Sequence, residues 1–143
     1  MLDIAHPHLR GLFAFWQEKR GAHAMPARGA IDPIDLWAWL GNLMLIERAP
    51  AGEFRYRVYG TGLAEYYGRD LTGKTTAQLR PEVRALVLAE YGEVCRTGKP
   101  LVVTHARRVR EQRKPVEKLI LPFGAADGDG VERLLAGAYP NGD

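Results

Sequence analysis

The spacing of apolar residues changes character partway along the chain. Leu9, Leu12, Phe13 and Trp16 fall at i, i+3, i+4 and i+7, one stripe of a helix from about Pro7 to Arg20. Pro7 suits its first turn, and Lys19, Arg20 and Gly21 suit its end. A second short helix is expected from Asp32, with Pro33 at its first position, Ile34, Trp37 and Ala38 along one side, and Gly41 at its end. Beyond it the period becomes that of strands. "LMLIER" (43–48) fits a buried strand and "APAG" (49–52) a turn. "EFRYRVYG" (53–60) alternates, with Phe54, Tyr56 and Val58 on one face and Arg55, Arg57 and Tyr59 on the other. So short a turn makes the pair antiparallel.

"TGLAEYYGRDLTGKTTAQL" (61–79) reads as short helical turns cut by Gly62, Gly68 and Gly73. "RPEVRALVLAEYGEVCRTG" (80–98) is a long helix, opened by Pro81 and closed by Gly98, with Val83, Val87, Tyr91, Val94 and Cys95 on its apolar stripe. Strands follow at 100–110, 116–123 and 131–139, separated by the loops "EQRKP" and "GAADGDG", so they form an antiparallel meander. The order predicts an α+β fold with one five-stranded antiparallel sheet. Short helices and the long helix cover one face, residues 43–143 form this domain, and residues 1–42 are an N-terminal helical extension.

Composition adds bounds rather than chemistry. A chain of 143 residues with 46% hydrophobic and 26% charged residues fits one ordinary globular domain. Its net charge of +3 is too small to argue for nucleic acid. The single cysteine, Cys95, forbids an internal disulfide and fits a reducing compartment. No apolar run approaches the roughly 20 residues of a membrane span. The start "MLDIAHPHLR" lacks a signal-peptide pattern, so the expected location is cytoplasmic.

One motif competes with this picture. "GRDLTGKT" (68–75) has the full G-x-x-x-x-G-K-T spacing of a phosphate-cradling loop. A working loop of that kind lies between a buried strand and a full helix in a parallel βαβ unit. Here helical turns precede it, at most two turns follow before Pro81, and the predicted strands are antiparallel. The motif is therefore read as a false positive. Gly68 and Gly73 are the turning points of a chain that Asp70 or Thr72 caps.

The same stretch carries a family resemblance. "RYRVYGTGLAEYYGRDLTGKTTAQL" resembles the middle of a PAS domain, in the branch of small, mostly single-domain proteins of alphaproteobacteria. Trp16, Arg20, Pro26, Arg28, Asp32 and Pro33 sit where members of that branch place such residues. The resemblance covers roughly residues 9–139. It implies a stand-alone sensory or regulatory module that binds a small ligand or docks on a protein signalling partner. It leaves the cofactor unassigned. Light-sensing members hold flavin beside an Asn-Cys-Arg motif after the second strand, and this chain has none. Haem-binding members usually place a histidine on the long helix, and residues 81–97 contain none. Both cofactors are therefore expected to be absent. Since no kinase, cyclase or DNA-binding segment is attached, output is expected to pass through a partner. Members of the family commonly pair through the N-terminal helix, so a homodimer is expected, with Leu12, Phe13, Phe15 and Trp16 at its interface.

Other clusters favour plain structural readings. His6 and His8 lack a third ligand and suit an exposed helix start, so no metal is expected. "DGDG" (127–130) lacks the closing glutamate of a calcium loop and suits a hairpin. Arg107, Arg108, Arg110, Arg113 and Lys114 suit a solvated hairpin end without nucleic acid. Cys95 suits a buried small hydrophobe. The candidate ligand site is a wall of Phe54, Tyr56, Val58, Val103 and His105 facing Val87 and Tyr91, with Tyr66 at the mouth. Two other functions fit the same elements. A small cone-like isomerase or dehydratase would need a His–Asp or Tyr–Asp pair in the pocket, for which His105 and Asp70 are the candidates, and an interaction domain without ligand would pack the aromatic interior solid.

Overall fold

The computed structural model describes residues 2–124 and 130–141. Helix α1 spans Pro7–Arg20, strand β1 Leu43–Arg48, strand β2 Phe54–Tyr59, helix α2 Thr61–Tyr67 and helix α3 Pro81–Thr97. Strands β3 (Leu101–Val109), β4 (Gln112–Gly124) and β5 (Val131–Pro140) complete the chain. They form one antiparallel sheet in the order β2-β1-β5-β4-β3. The expected α+β fold, with its five strands and its N-terminal helix, is thus the observed one. The expected loop at 127–130 lies outside the described residues but for Gly130.

Both faces of the central strands are covered. On one face Leu9 and Leu12 of α1 lie over Gly137, where an added Cβ would come within 2.9 Å of Leu12. The Trp16 indole donates to the Pro122 carbonyl at 2.9 Å. Residues 1–42 therefore contribute Leu9, Leu12, Trp16 and Met25 to the same core as the sheet. This takes Leu12 and Trp16 out of the expected dimer surface. Leu12 and Trp16 are buried within the chain, Phe13 stacks on Trp16, and Phe15 leans on Trp39, because the stripe faces its own sheet. The His6 ring is buried against Tyr139, and its Nδ1 accepts the His8 N–H that opens α1; the expected exposed helix start is corrected too. No cluster of potential metal ligands occurs among the described residues.

The second short helix does not form. Asp32 caps as expected, accepting from the Ile34 N–H at 3.0 Å, but only isolated turns follow at Pro33–Leu36 and Leu40–Asn42. Leu36 is the inward residue, while Ile34 and Trp37 are 77% and 76% exposed. The chain bends here to lay Leu40–Gly41 against Gly60 and Gly62. A Cβ on Gly60 would stand 2.3 Å from the Gly41 oxygen.

The other helices follow the sequence more closely. Gly68 ends α2 with a left-handed cap. The Asp70 carboxylate accepts from the Thr72 N–H and hydroxyl at 2.9 and 2.7 Å, Gly73 is left-handed, and Thr75 with Gln78 makes a capping box over a single turn. The G-x-x-x-x-G-K-T stretch thus follows a helix, and its Gly73 N–H and Lys74 carbonyl bond the β2 edge at Tyr56. Pro81 opens α3 and Gly98 closes it. The Glu53 carboxylate, just before β2, pairs with Arg84 of α3 and accepts from Thr76 at 2.6 Å, fastening the helix to the sheet edge.

Two strand details differ from expectation. β4 begins at Gln112 because Arg110 and Glu111 form a two-residue hairpin loop with φ of 48° and 68°. Arg110 is held there by Glu65 at 2.7 Å and by the face of Tyr66. β1 and β2 slip register between Leu45 and Ile46. Phe54 and Tyr56 therefore face inward as expected, but Val58 is 42% exposed and Tyr59 turns inward.

Candidate functional site

α2, α3 and residues from all five strands line an open cavity of about 590 Å³. Its apolar wall comes from Met44, Leu71, Val83 and Val87. Five tyrosines also line it: Tyr56 and Tyr59 from β2, Tyr66 and Tyr67 from α2, and Tyr91 from α3. Size and lining match a pocket for a modest organic molecule.

Of the expected ligand residues, Tyr56, Tyr66, Val87, Tyr91 and His105 line this cavity. Phe54, Val58 and Val103 do not. Phe54, two residues before Tyr56 on β2, is buried edge-on to Tyr91. The β1–β2 bulge turns Val58 to the opposite face. Val103 lies on the outermost strand β3, opposite Lys118. Tyr59 occupies the place that alternation assigned to Val58.

The floor carries the site's polar chemistry. The Tyr56 and Tyr91 hydroxyls share a hydrogen bond at 2.9 Å. Burial pushes the Tyr56 phenol up to about 12 and the Tyr91 phenol well above its ordinary value. Burial also pushes Tyr67 up to about 12 and raises Tyr59 further. These phenols stay neutral donors and acceptors across the physiological range.

Beside them lies a buried charge group. On β3, His105 pairs with Val116 of β4, so Lys118 is its diagonal neighbour on the same face. α3 carries Glu90 over both. One Glu90 oxygen lies 2.6 Å from the Lys118 ammonium and the other 2.6 Å from His105 Nε2. Glu90 is 6% and Lys118 8% exposed. The Lys118 ammonium also lies 5.4 Å from the centre of the Tyr91 ring. Burial pulls the lysine below its ordinary range, and Glu90 opposes that pull.

Glu90, Lys118 and Arg107 are absent from the sequence-based site. Glu90 sits at i+3 from Val87 and i−4 from Val94, on the stripe α3 turns inward, and that spacing is the signal that marks it. Lys118 follows Glu117 on a strand covered on both faces, so both charged side chains are buried. Arg107, expected at a solvated hairpin end, shares the face of His105 and lines the cavity. The pairing of His105 with Asp70 is corrected: Asp70 binds Thr72 in an exposed turn, and His105 binds Glu90.

A family model described as PAS domain matches residues 4–139. No curated protein matches the sequence. The fold is similar to that of a Rhodobacter sphaeroides LOV protein, at 14% identity and a TM-score of 0.53, with 78% of this chain and 69% of that one aligned. It is similar also to a fungal LOV domain photoreceptor, at 14% identity and a TM-score of 0.50, with 79% of this chain and 94% of that one aligned. At such identity these neighbours bear on the fold alone. No helix among the described residues is long and apolar enough to cross a membrane. The match extends over nearly the whole length, through α1 and all five strands, and the chain belongs to the PAS domain family.

Proposed function

We propose that this PAS domain is a sensory or regulatory module whose input is a small organic molecule held between α3 and the sheet. The observation that carries the reading is the cavity of about 590 Å³ lined by five tyrosines. A solidly packed core leaves no such volume between its helices and sheet. Burial of apolar surface against Met44, Val83 and Val87 supplies affinity, and the neutral phenols fix orientation. Occupancy is passed on through α2 and the glycine turns behind it, which form one wall of the cavity and lie at the surface where a protein partner reaches them. Native mass spectrometry of the purified chain tests the proposal, together with Val87→Trp, which fills the cavity from α3. The expected result is a small-molecule adduct on the parent chain that is lost in the variant while the cooperative melt remains. An adduct retained at equal occupancy by the variant would place the molecule elsewhere and overturn the reading.

A further inference from the structure

Resting on that reading of the cavity, we infer that its occupant is a small organic anion, an apolar ring body carrying a carboxylate that Arg107 receives beside Lys118 and His105. The first ground is charge balance. The cavity lining carries the cations Lys118, Arg69, Arg80, Arg107, Arg108 and Arg110 against the carboxylates of Glu65 and Glu111, with the Glu90 carboxylate behind Lys118. Glu90 is already shared, one oxygen to Lys118 and one to His105. The lining therefore keeps an excess positive charge without counting His105. A cleft with one sign of charge and low-dielectric walls concentrates ligands of the other sign.

The second ground is the state of Arg107. Of the other arginines that line the cavity, Arg108 is exposed to solvent and the rest have partners. Arg69 donates to the Gln78 carbonyl at 2.9 Å, Arg80 pairs with Glu82, and Arg110 pairs with Glu65. Arg107 has no carboxylate within ion-pair distance among the described residues, yet it sits half-buried on the cavity face of β3, two residues beyond His105. A planar guanidinium facing a tyrosine-lined cavity matches a carboxylate in two parallel hydrogen bonds. The third ground is the neutrality of the tyrosines. Their raised phenols offer donors to an anion without competing charge, and the apolar wall opposite takes the ring body.

The test uses the full chain and four probes of one shape: β-naphthoate, β-naphthamide, β-naphthylmethylamine and β-naphthyl phosphate, each titrated by calorimetry at fixed low salt. Naphthoate is expected to bind about tenfold or more tightly than the amide, and the amine not at all. Naphthyl phosphate exceeding naphthoate would reassign the anion from carboxylate to phosphate and overturn that part of the assignment. Arg107→Met is expected to bring naphthoate down to the level of the amide in the same variant. Arg107→Lys, which keeps the charge, is expected to retain part of the preference and covers the case in which the methionine variant does not fold. An amide that binds as well as the carboxylate, or a preference untouched in both Arg107 variants, overturns the anion inference and leaves the cavity reading standing. Failure of all four probes to bind would overturn this inference, whereas the cavity reading itself is lost only if the native adduct also survives Val87→Trp.

Discussion

Replacing Lys118 with methionine keeps most of the side chain's length and removes its charge. In the parent chain Lys118 is 8% exposed and its ammonium lies 2.6 Å from a Glu90 oxygen. At an effective dielectric of about 20 the attraction at that separation is about 6 kcal/mol. Desolvating both charges takes back much of it, which is why burial pulls the lysine below its ordinary range despite the carboxylate beside it. The intact pair therefore contributes little net stability, whereas half of it costs a good deal. Lys118→Met leaves the Glu90 charge 6% exposed with His105 as its remaining partner. That should cost about 3 kcal/mol, or roughly 10 °C in the melting midpoint for a chain of this size. The double variant Glu90→Leu with Lys118→Met removes both charges and should return to within about 1 kcal/mol of the parent. Urea unfolding followed by tryptophan fluorescence, with thermal melts by circular dichroism at pH 7, measures all three proteins. A single variant as stable as the parent would show that Glu90 is not stranded. A double variant as damaged as the single would show that packing, rather than charge, was lost.

Glu53 should govern part of the acid sensitivity. Arg84 and then Thr76 hold its carboxyl below the ordinary value of 4.5, so its contribution is complete above that pH and fades as pH falls through the lowered value. Melts from neutral pH downward should lose stability less steeply in Glu53→Gln than in the parent, and equal slopes would refute the assignment. Gly60→Ala sets a Cβ 2.3 Å from the Gly41 oxygen and should cost at least about 2 kcal/mol. Gly92→Ala, in the exposed middle of α3 with nothing within 4 Å, should instead gain about 0.5–1 kcal/mol. Equal melts for those two variants would refute the close approach. Phe15→Glu should destabilise the chain, because the ring packs on Trp39; an unchanged melt with a halved mass in light scattering would restore α1 as an interface between copies. Lys74→Ala should melt within about 0.5 kcal/mol of the parent, and ATP affinity in the parent that is lost in the variant would refute the reading of the glycine stretch as a turn.

The fold was legible wherever periodicity and end signals agreed. Pro7 with the Leu9–Trp16 stripe marked α1, and Pro81 with Gly98 bounded α3 to within a residue. It failed where tertiary contacts outweighed local preference. Asp32 and Pro33 are good helix openers, yet the chain gives up the helix to seat Leu40–Gly41 on two glycines 20 residues away. The β3–β4 turn was missed for a related reason. Arg110 and Glu111 are poor residues for positive φ, and the pairings of Arg110 to Glu65 and Tyr66, 45 and 44 residues back in the chain, hold the turn in place.

The site was legible in its apolar half. Tyr56, Tyr91 and Val87 follow from strand and helix parity, and one bulge was enough to exchange Val58 for Tyr59. Its charged half was not, and the reason is physical. Parity reasoning sorts residues into buried apolar and exposed polar, so a carboxylate on the inward stripe and a lysine on a central strand are assigned to solvent by default. Only the pairing of β3 with β4 brings His105 and Lys118 onto one diagonal, and only the seating of α3 carries Glu90 over both. Burying that group costs desolvation free energy that an apolar trio of similar volume would not. A sequence that keeps His105 and Lys118 in the lining of a cavity with Glu90 behind them, and Arg107 two residues along β3 from His105, carries there a polar chemistry that stability alone does not require. On the proposed reading, the five tyrosines orient a bound molecule and the cations of the lining select its charge.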